Sequence, residues 1–173
     1  FALEQLLAAG EAEVIRARHA DFYLALAEQA APHLDWRDQA EWLPRLDREH
    51  DNLRAALAWL LERRDAERGL RFIAALSWFW NMRGVYAEAW VLAQSFLSLP
   101  GVSARTPTHA RALGAASHLR LFLGDYALAK ALGEDALAIN DATGDRAGRA
   151  RILMPLIMTA FETGDNRRHV QLS

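Results

Sequence analysis

Arg71, Arg111 and Arg151 stand forty residues apart. A guanidinium is well suited to grip a carboxylate, because its planar fork of donors meets two oxygens at once. Two helical turns beyond each arginine stand Trp78, His118 and Met158, a spacing that keeps both columns on one side of a helix. Such columns could receive the acidic groups of a peptide. The alternative is three arginines that are solvated or paired locally, the ordinary situation of exposed charge. Other chemistry finds little support. There is no Gly-x-x-x-x-Gly-Lys-Ser/Thr, no His-Glu-x-x-His and no Gly-x-Ser-x-Gly in the sequence, so phosphate-cradling, zinc-protease and nucleophile-elbow motifs are absent. Ser117 and His118 are adjacent, as are Glu49, His50 and Asp51. Neighbouring side chains on a helix diverge, which disfavours a nucleophile-base pair in the first case and a metal site in the second. Trp78, Phe79 and Trp80, with Met82 and Trp90 nearby, form the densest aromatic cluster. Three successive helical positions cannot share one face, so at least one ring must pack on a neighbouring helix or show in a groove.

The elements that would position these residues repeat. Gly84-Val85-Tyr86-Ala87-Glu88-Ala89 returns as Gly124-Asp125-Tyr126-Ala127-Leu128-Ala129 and, blunted, as Gly164-Asp165-Asn166-Arg167-Arg168-His169. A fixed period signifies stacked units. In each, an apolar helix ends at a glycine able to adopt positive φ, an aromatic such as Tyr86 or Tyr126 opens the return helix, and Ala89 or Ala129 permits close approach. The spacing predicts helix pairs over 66–83 with 86–99, 108–123 with 126–142, and 146–162 with a truncated 166–173, with Pro155 bending the last first helix. Residues 102–107 read as a linker. Upstream, short and long helices are expected over 1–7 and 11–31, the latter closed by Pro32. Asp35 or Asp38 is expected to cap a helix carrying Trp36, Trp42, Leu43 and Leu46 that kinks or restarts at Pro44. A clean apolar stripe then runs from 47 to 64.

The Gly124-Asp125-Tyr126 turn with Ala129, Ala136 and Leu137, and the small residues Ser77 and Ser117 in the first helices, resemble the tetratricopeptide repeat (TPR). Ile157 and His169 depart from that pattern in the last unit, and forty residues exceed the family's usual period. The resemblance implies an all-α, TPR-like superhelical array (an α-solenoid) of antiparallel helix pairs whose first helices line a concave groove. That groove would present Arg71, Arg111 and Arg151 beside Trp78, Asn81, His118, Leu121, Met158 and Phe161. A second resemblance covers residues 1–65. Phe1-Ala2-Leu3-Glu4-Gln5-Leu6, Gly10-Glu11, Arg18-His19-Ala20-Asp21-Phe22-Tyr23 and Glu49-His50-Asp51-Asn52-Leu53-Arg54-Ala55-Ala56-Leu57-Ala58-Trp59 look like the helical junction downstream of the nucleotide-binding modules in bacterial STAND signalling ATPases, many of them LuxR-type transcriptional regulators. It implies an N-terminal linking segment over 1–65, followed by repeats over 66–173, with ATPase and DNA-binding parts elsewhere. Arg18 and His19 would pack on the preceding module.

Composition agrees with a helical chain. Hydrophobic residues make up 52% of 173 residues, dominated by alanine and leucine, and the net charge of −2 implies no general attraction to nucleic acid or anionic membrane. Lys130 is the only lysine in an arginine-rich chain, and cysteine is absent, which excludes disulfides, thiol catalysis and thiolate metal sites. No apolar run is long enough for a membrane helix, and no signal-like segment opens the chain. It begins at Phe1 and stops soon after a turn, and so reads as a piece of a longer protein. The expectation is a cytoplasmic, non-catalytic arm without cofactor, metal or direct nucleic-acid contact. Its partner would be a protein or peptide segment, an adjacent module of the parent chain or a small-molecule inducer. A self-association scaffold forming homo-oligomers and, from another class, a helical enzyme domain are the alternatives.

Overall fold

A computed structural model describes residues 11–34, 38–100, 102 and 105–164. Regular structure among them is entirely helical, as expected: α1 (Glu11–Ala30), a 3-10 turn (Ala31–His33), α2 (Gln39–Arg48), α3 (His50–Glu62), α4 (Ala66–Arg83), α5 (Tyr86–Leu97), α6 (Pro107–Phe122), α7 (Tyr126–Thr143) and α8 (Arg146–Glu162). The helices expected over 1–7 and 166–173, together with Asp35 and Trp36, lie outside the described residues.

Local chemistry sets the boundaries. Gly84, Gly124, Gly144 and Gly164 have φ of 67°, 78°, 71° and 70°, the left-handed conformation in which a Cβ would be strained. Aspartates then open the next helices. The Asp65, Asp125 and Asp145 carboxylates accept the N–H groups of Arg68, Leu128 and Gly148 at 3.0, 3.1 and 2.9 Å, which satisfies donors that a helix start leaves free. Pro107 opens α6 after Thr106, whose hydroxyl accepts from the His109 N–H. The stripe expected as one helix from 47 to 64 is interrupted at Glu49, where α2 ends and α3 begins. The expected break at Pro44 is displaced accordingly. Pro44 lies inside α2, and the chain restarts five residues later, where the Glu49 carboxylate is held by hydrogen bonds from Tyr23 and Asn52. Asp38 does stand at the start of α2, but its side chain caps no backbone N–H and instead meets His33 Nδ1 at 3.0 Å.

Packing follows one scheme along the chain. α4 packs on α5 and α6 on α7, each first helix packs on the next (α4 on α6, α6 on α8), and each return helix also touches the following first helix. α1 and α3 enter the same scheme: they pack on each other and both pack on α4, with α2 intervening in the chain and touching α3. One apolar core cluster runs from Ala20 to Leu119, crossing Asp65, with Phe72, Phe79 and Phe96 at its centre, and a second runs from Ala110 to Leu156. Ala89 and Ala129 are wholly buried. Small residues permit the closest approaches. A Cβ on Gly69 would fall inside the Phe96 ring, and the buried Ser117 hydroxyl donates to the Ala129 carbonyl at 2.7 Å.

Candidate ligand cleft

A cleft of about 550 Å³ opens along the first helices, within the size range of small-molecule and peptide sites. α4 supplies Arg71, Ala74 and Trp78, α6 supplies Arg111, Gly114 and His118, and α8 supplies Arg151, Ile152 and Pro155. Glu28, Pro32, Asn140 of α7 and Gly148 of α8 complete the lining. The forty-residue register thus brings all three arginines to one cavity, because the helices that carry them pack side by side.

The arginines differ in their company. Arg71 forms a two-pronged pair with Glu28 of α1, with Nε to Oε1 and Nη2 to Oε2 both at 2.7 Å. That arrangement is the locally paired alternative realised. It holds the guanidinium firmly protonated, through the Glu28 hydrogen bonds ahead of the opposing effect of burial. Arg111 approaches Asp145 only to 3.6 Å, beyond hydrogen-bond length. Arg151 is exposed and makes no ion pair among the described residues. The Asp145 carboxyl is held below its ordinary range by the Gly148 N–H first, and by the Arg111 and Arg151 charges as further contributions.

Trp78 and His118 lie with parallel rings, centroids 6.0 Å apart, and His118 meets Phe122 edge-on at 4.9 Å. Burial against these rings pushes the His118 imidazole below its usual pKa, since a charged ring would lose its water. Of the aromatic run, Phe79 and Trp80 are buried in the core, whereas Trp78 reaches the cleft. Its Nε1 has no acceptor among the described residues, and the Oδ1 of Asn140, a residue only 2% exposed, has no donor.

The other residues expected in the groove stand elsewhere. Asn81 is engaged by the Tyr86 hydroxyl, at 3.1 Å from its Oδ1. Leu121 is a core residue at 6% exposure. Met158 and Phe161 lie beyond the cleft lining on α8, with Phe161 71% exposed. The structure adds Glu28, Asn140 and Gly148 to the lining, with Asp145 behind it, 3.6 Å from Arg111. Glu28 and Asn140 carried no sequence mark: one pairs over forty-three residues, and the other is a lone polar residue in an apolar helix face.

The upstream motif residues build a structural clasp. The Tyr23 hydroxyl donates to Glu49 Oε2 at 2.9 Å and the Asn52 amide donates to the same oxygen at 2.8 Å. These bonds, Asn52's first, hold the Glu49 carboxyl below its ordinary value, while desolvation and then Glu49 raise the Tyr23 phenol. His50 turns toward Phe79 and Asp51 is exposed, so the three acid-base residues of that stretch diverge. No group of three or more His, Cys, Asp or Glu poised to hold a metal occurs among the described residues. Nor is any helix there long and apolar enough to cross a membrane.

The described residues thus define an all-α architecture of helices packed side by side, with a cleft between them. No family model matches the chain. It is similar to mycobacterial proteins named as HTH-type transcriptional regulators, with 32% identity over 160 residues to one in Mycobacterium tuberculosis (strain ATCC 25618 / H37Rv) and equally to one in Mycobacterium bovis (strain ATCC BAA-935 / AF2122/97). Each alignment covers 88% of this chain but only 18% of the relative.

Proposed function

We propose that the chain is the sensing or protein-interaction arm of a cytoplasmic bacterial transcriptional regulator of the LuxR-type or STAND-ATPase kind. Its helix pairs form a TPR-like superhelix, and the cleft lined by α4, α6 and α8 receives a partner segment or an inducer. The observation that carries the reading is this cleft, with its paired and unpaired arginines beside Trp78 and His118, in a chain similar to a segment, 18% of the length, of a protein named as a transcriptional regulator. A ligand seated there would act by favouring one arrangement of this arm against the neighbouring modules, which requires different affinities for the two arrangements. Ser117 spends its hydroxyl on Ala129 while His118 stacks on Trp78. That divergence supports a binding role over nucleophilic catalysis.

The test fills the cleft in the full-length regulator. Ala74→Trp places an indole in the cavity, whereas Ala58→Trp, exposed in a separate hollow between α3 and α5, serves as control for filling a cavity other than this cleft. With a reporter placed under the regulator's own promoter, Ala74→Trp is expected to fix the output in one state while Ala58→Trp leaves the response intact. Identical responses from both variants and the wild type would refute the reading.

A further inference from the structure

The charges lining the cleft are unevenly balanced, and that imbalance names a ligand class for the site proposed above, on which this inference rests. At the α1–α4 end, Arg71 and Glu28 neutralise each other through two hydrogen bonds of 2.7 Å. At the α6–α8 end, Arg111 and Arg151 face a single acid, Asp145. One oxygen of that acid is already committed to the Gly148 N–H at 2.9 Å, and Arg111 stays 3.6 Å from the other. Two guanidiniums against one carboxylate leave about one positive charge, with most of their N–H donors open. Beside them, Asn140 is 2% exposed and its Oδ1 has no donor among the described residues. A polar group so deeply buried is ordinarily paired, and a donor brought by a ligand would complete it. Trp78, Ala74, Ile152 and Pro155 supply apolar wall, alongside Ser77, Thr108 and His118.

We infer that the cleft binds an amphipathic monocarboxylate, its carboxylate held between Arg111 and Arg151 and its apolar body laid along Trp78 and Ile152. A phosphate monoester fits less well. Its second negative charge would face Asp145 with no further cation to offset it. The carboxylate could belong to a free organic acid or to the C-terminus of a peptide, and the two sources are separable.

Titration calorimetry with two matched pairs of probes tests this: 4-phenylbutyrate against 4-phenylbutyramide, and the tetrapeptide Ala-Ala-Ala-Phe as free acid against its C-terminal amide. At least one free acid is expected to bind tenfold or more tightly than its amide. Arg111→Gln and Arg151→Gln should each erase that preference, and Arg54→Gln, on α3 and outside the cleft lining, should preserve it. The pair that shows the preference identifies the source. If acids and amides bind equally well and Trp78→Ala weakens both, the cleft remains a binding site but the anion assignment is wrong. If none of the four binds, or Trp78→Ala changes nothing, the anion assignment falls together with the use of this cleft for ligands of that size.

Discussion

Two alanines, each replacing a glycine in a first helix, should change stability in opposite directions. A Cβ on Gly69 would lie 2.0, 2.1 and 2.7 Å from Cδ1, Cε1 and Cγ of Phe96. Phe96 is completely buried, so its ring must retreat by more than an ångström into closely packed surroundings. Overpacking of this kind costs about 1–3 kcal/mol, and three ring atoms in collision place Gly69→Ala near the upper end. Alanine's better helix propensity returns about 1 kcal/mol, leaving a net loss of about 2 kcal/mol. At Gly114 the same Cβ meets only Ile152 Cδ1, at 3.3 Å, the far end of a flexible side chain. There propensity wins, and Gly114→Ala should stabilise by up to about 1 kcal/mol. Urea unfolding followed by far-UV circular dichroism reads both values. In thermal melts the Gly69→Ala loss corresponds to roughly 4–8 °C for a domain of this size. Because the cause assigned is one ring, Phe96→Leu must make Gly69→Ala cheaper, a coupling that a double-mutant cycle measures. Gly69→Ala as stable as the wild type, or equally costly with and without the Phe96 ring, would refute the steric argument.

Three further outcomes are expected. Ser117→Ala removes the buried 2.7 Å hydrogen bond to the Ala129 carbonyl and should cost about 1 kcal/mol by chemical denaturation; a change below about 0.3 kcal/mol would contradict its role as an interhelical tie. His118 resists protonation in the folded chain because of burial, so the unfolded chain binds more protons below its ordinary pKa. Stability should therefore be full above about pH 7 and fall on acidification at up to about 1.4 kcal/mol per pH unit from this group, and His118→Leu should flatten that part of the profile. Glu28→Gln frees Arg71 from its two-pronged partner, adding positive charge to the cleft, and should tighten 4-phenylbutyrate binding several-fold at low ionic strength, an effect that added salt diminishes.

What was legible in the sequence was local or periodic. The left-handed glycines and the buried Ala89 and Ala129 follow from stereochemistry within a few residues, and the structure reproduces the 66–83 and 146–162 helices at their expected limits. The register also placed Arg71, Arg111 and Arg151 together, since equal spacing in stacked helices becomes adjacency. Two kinds of feature escaped. One is the effect of distant contacts on a local signal: the stripe from 47 to 64 reads as one helix, but Glu49 serves Tyr23, twenty-six residues away, at the point where the helix breaks. The other is the width of the lining face. Leu121 and Phe161 share the helices of the cleft, but one points into the core and the other beyond the cavity. Helical phase relative to neighbours decides that, and neighbours at this resolution of phase are fixed by packing across pairs.

The helix caps also bear on how charge is balanced at the α6–α8 end of the cleft. Each capping aspartate uses one oxygen for a backbone N–H and turns the other toward an arginine: Asp65 toward Arg68, Asp125 toward Arg120, and Asp145 toward Arg111. In the first two cases the arginine comes from the cap's own turn or the helix just before it, and the contact closes to a hydrogen bond. In the third it comes from α6, across the cleft wall, and stops at 3.6 Å. The Asp145 oxygen is left buried without a hydrogen bond, and Arg111 is left half exposed. An arginine held by attraction but not by a hydrogen bond keeps its donors available, and it can swing toward an anion without first breaking a fork such as that of Arg71 and Glu28. The same cap that starts α8 therefore lies within the electrostatic reach of both Arg111 and Arg151 and closes a hydrogen bond to neither, which leaves the donors that the proposed anion site would use.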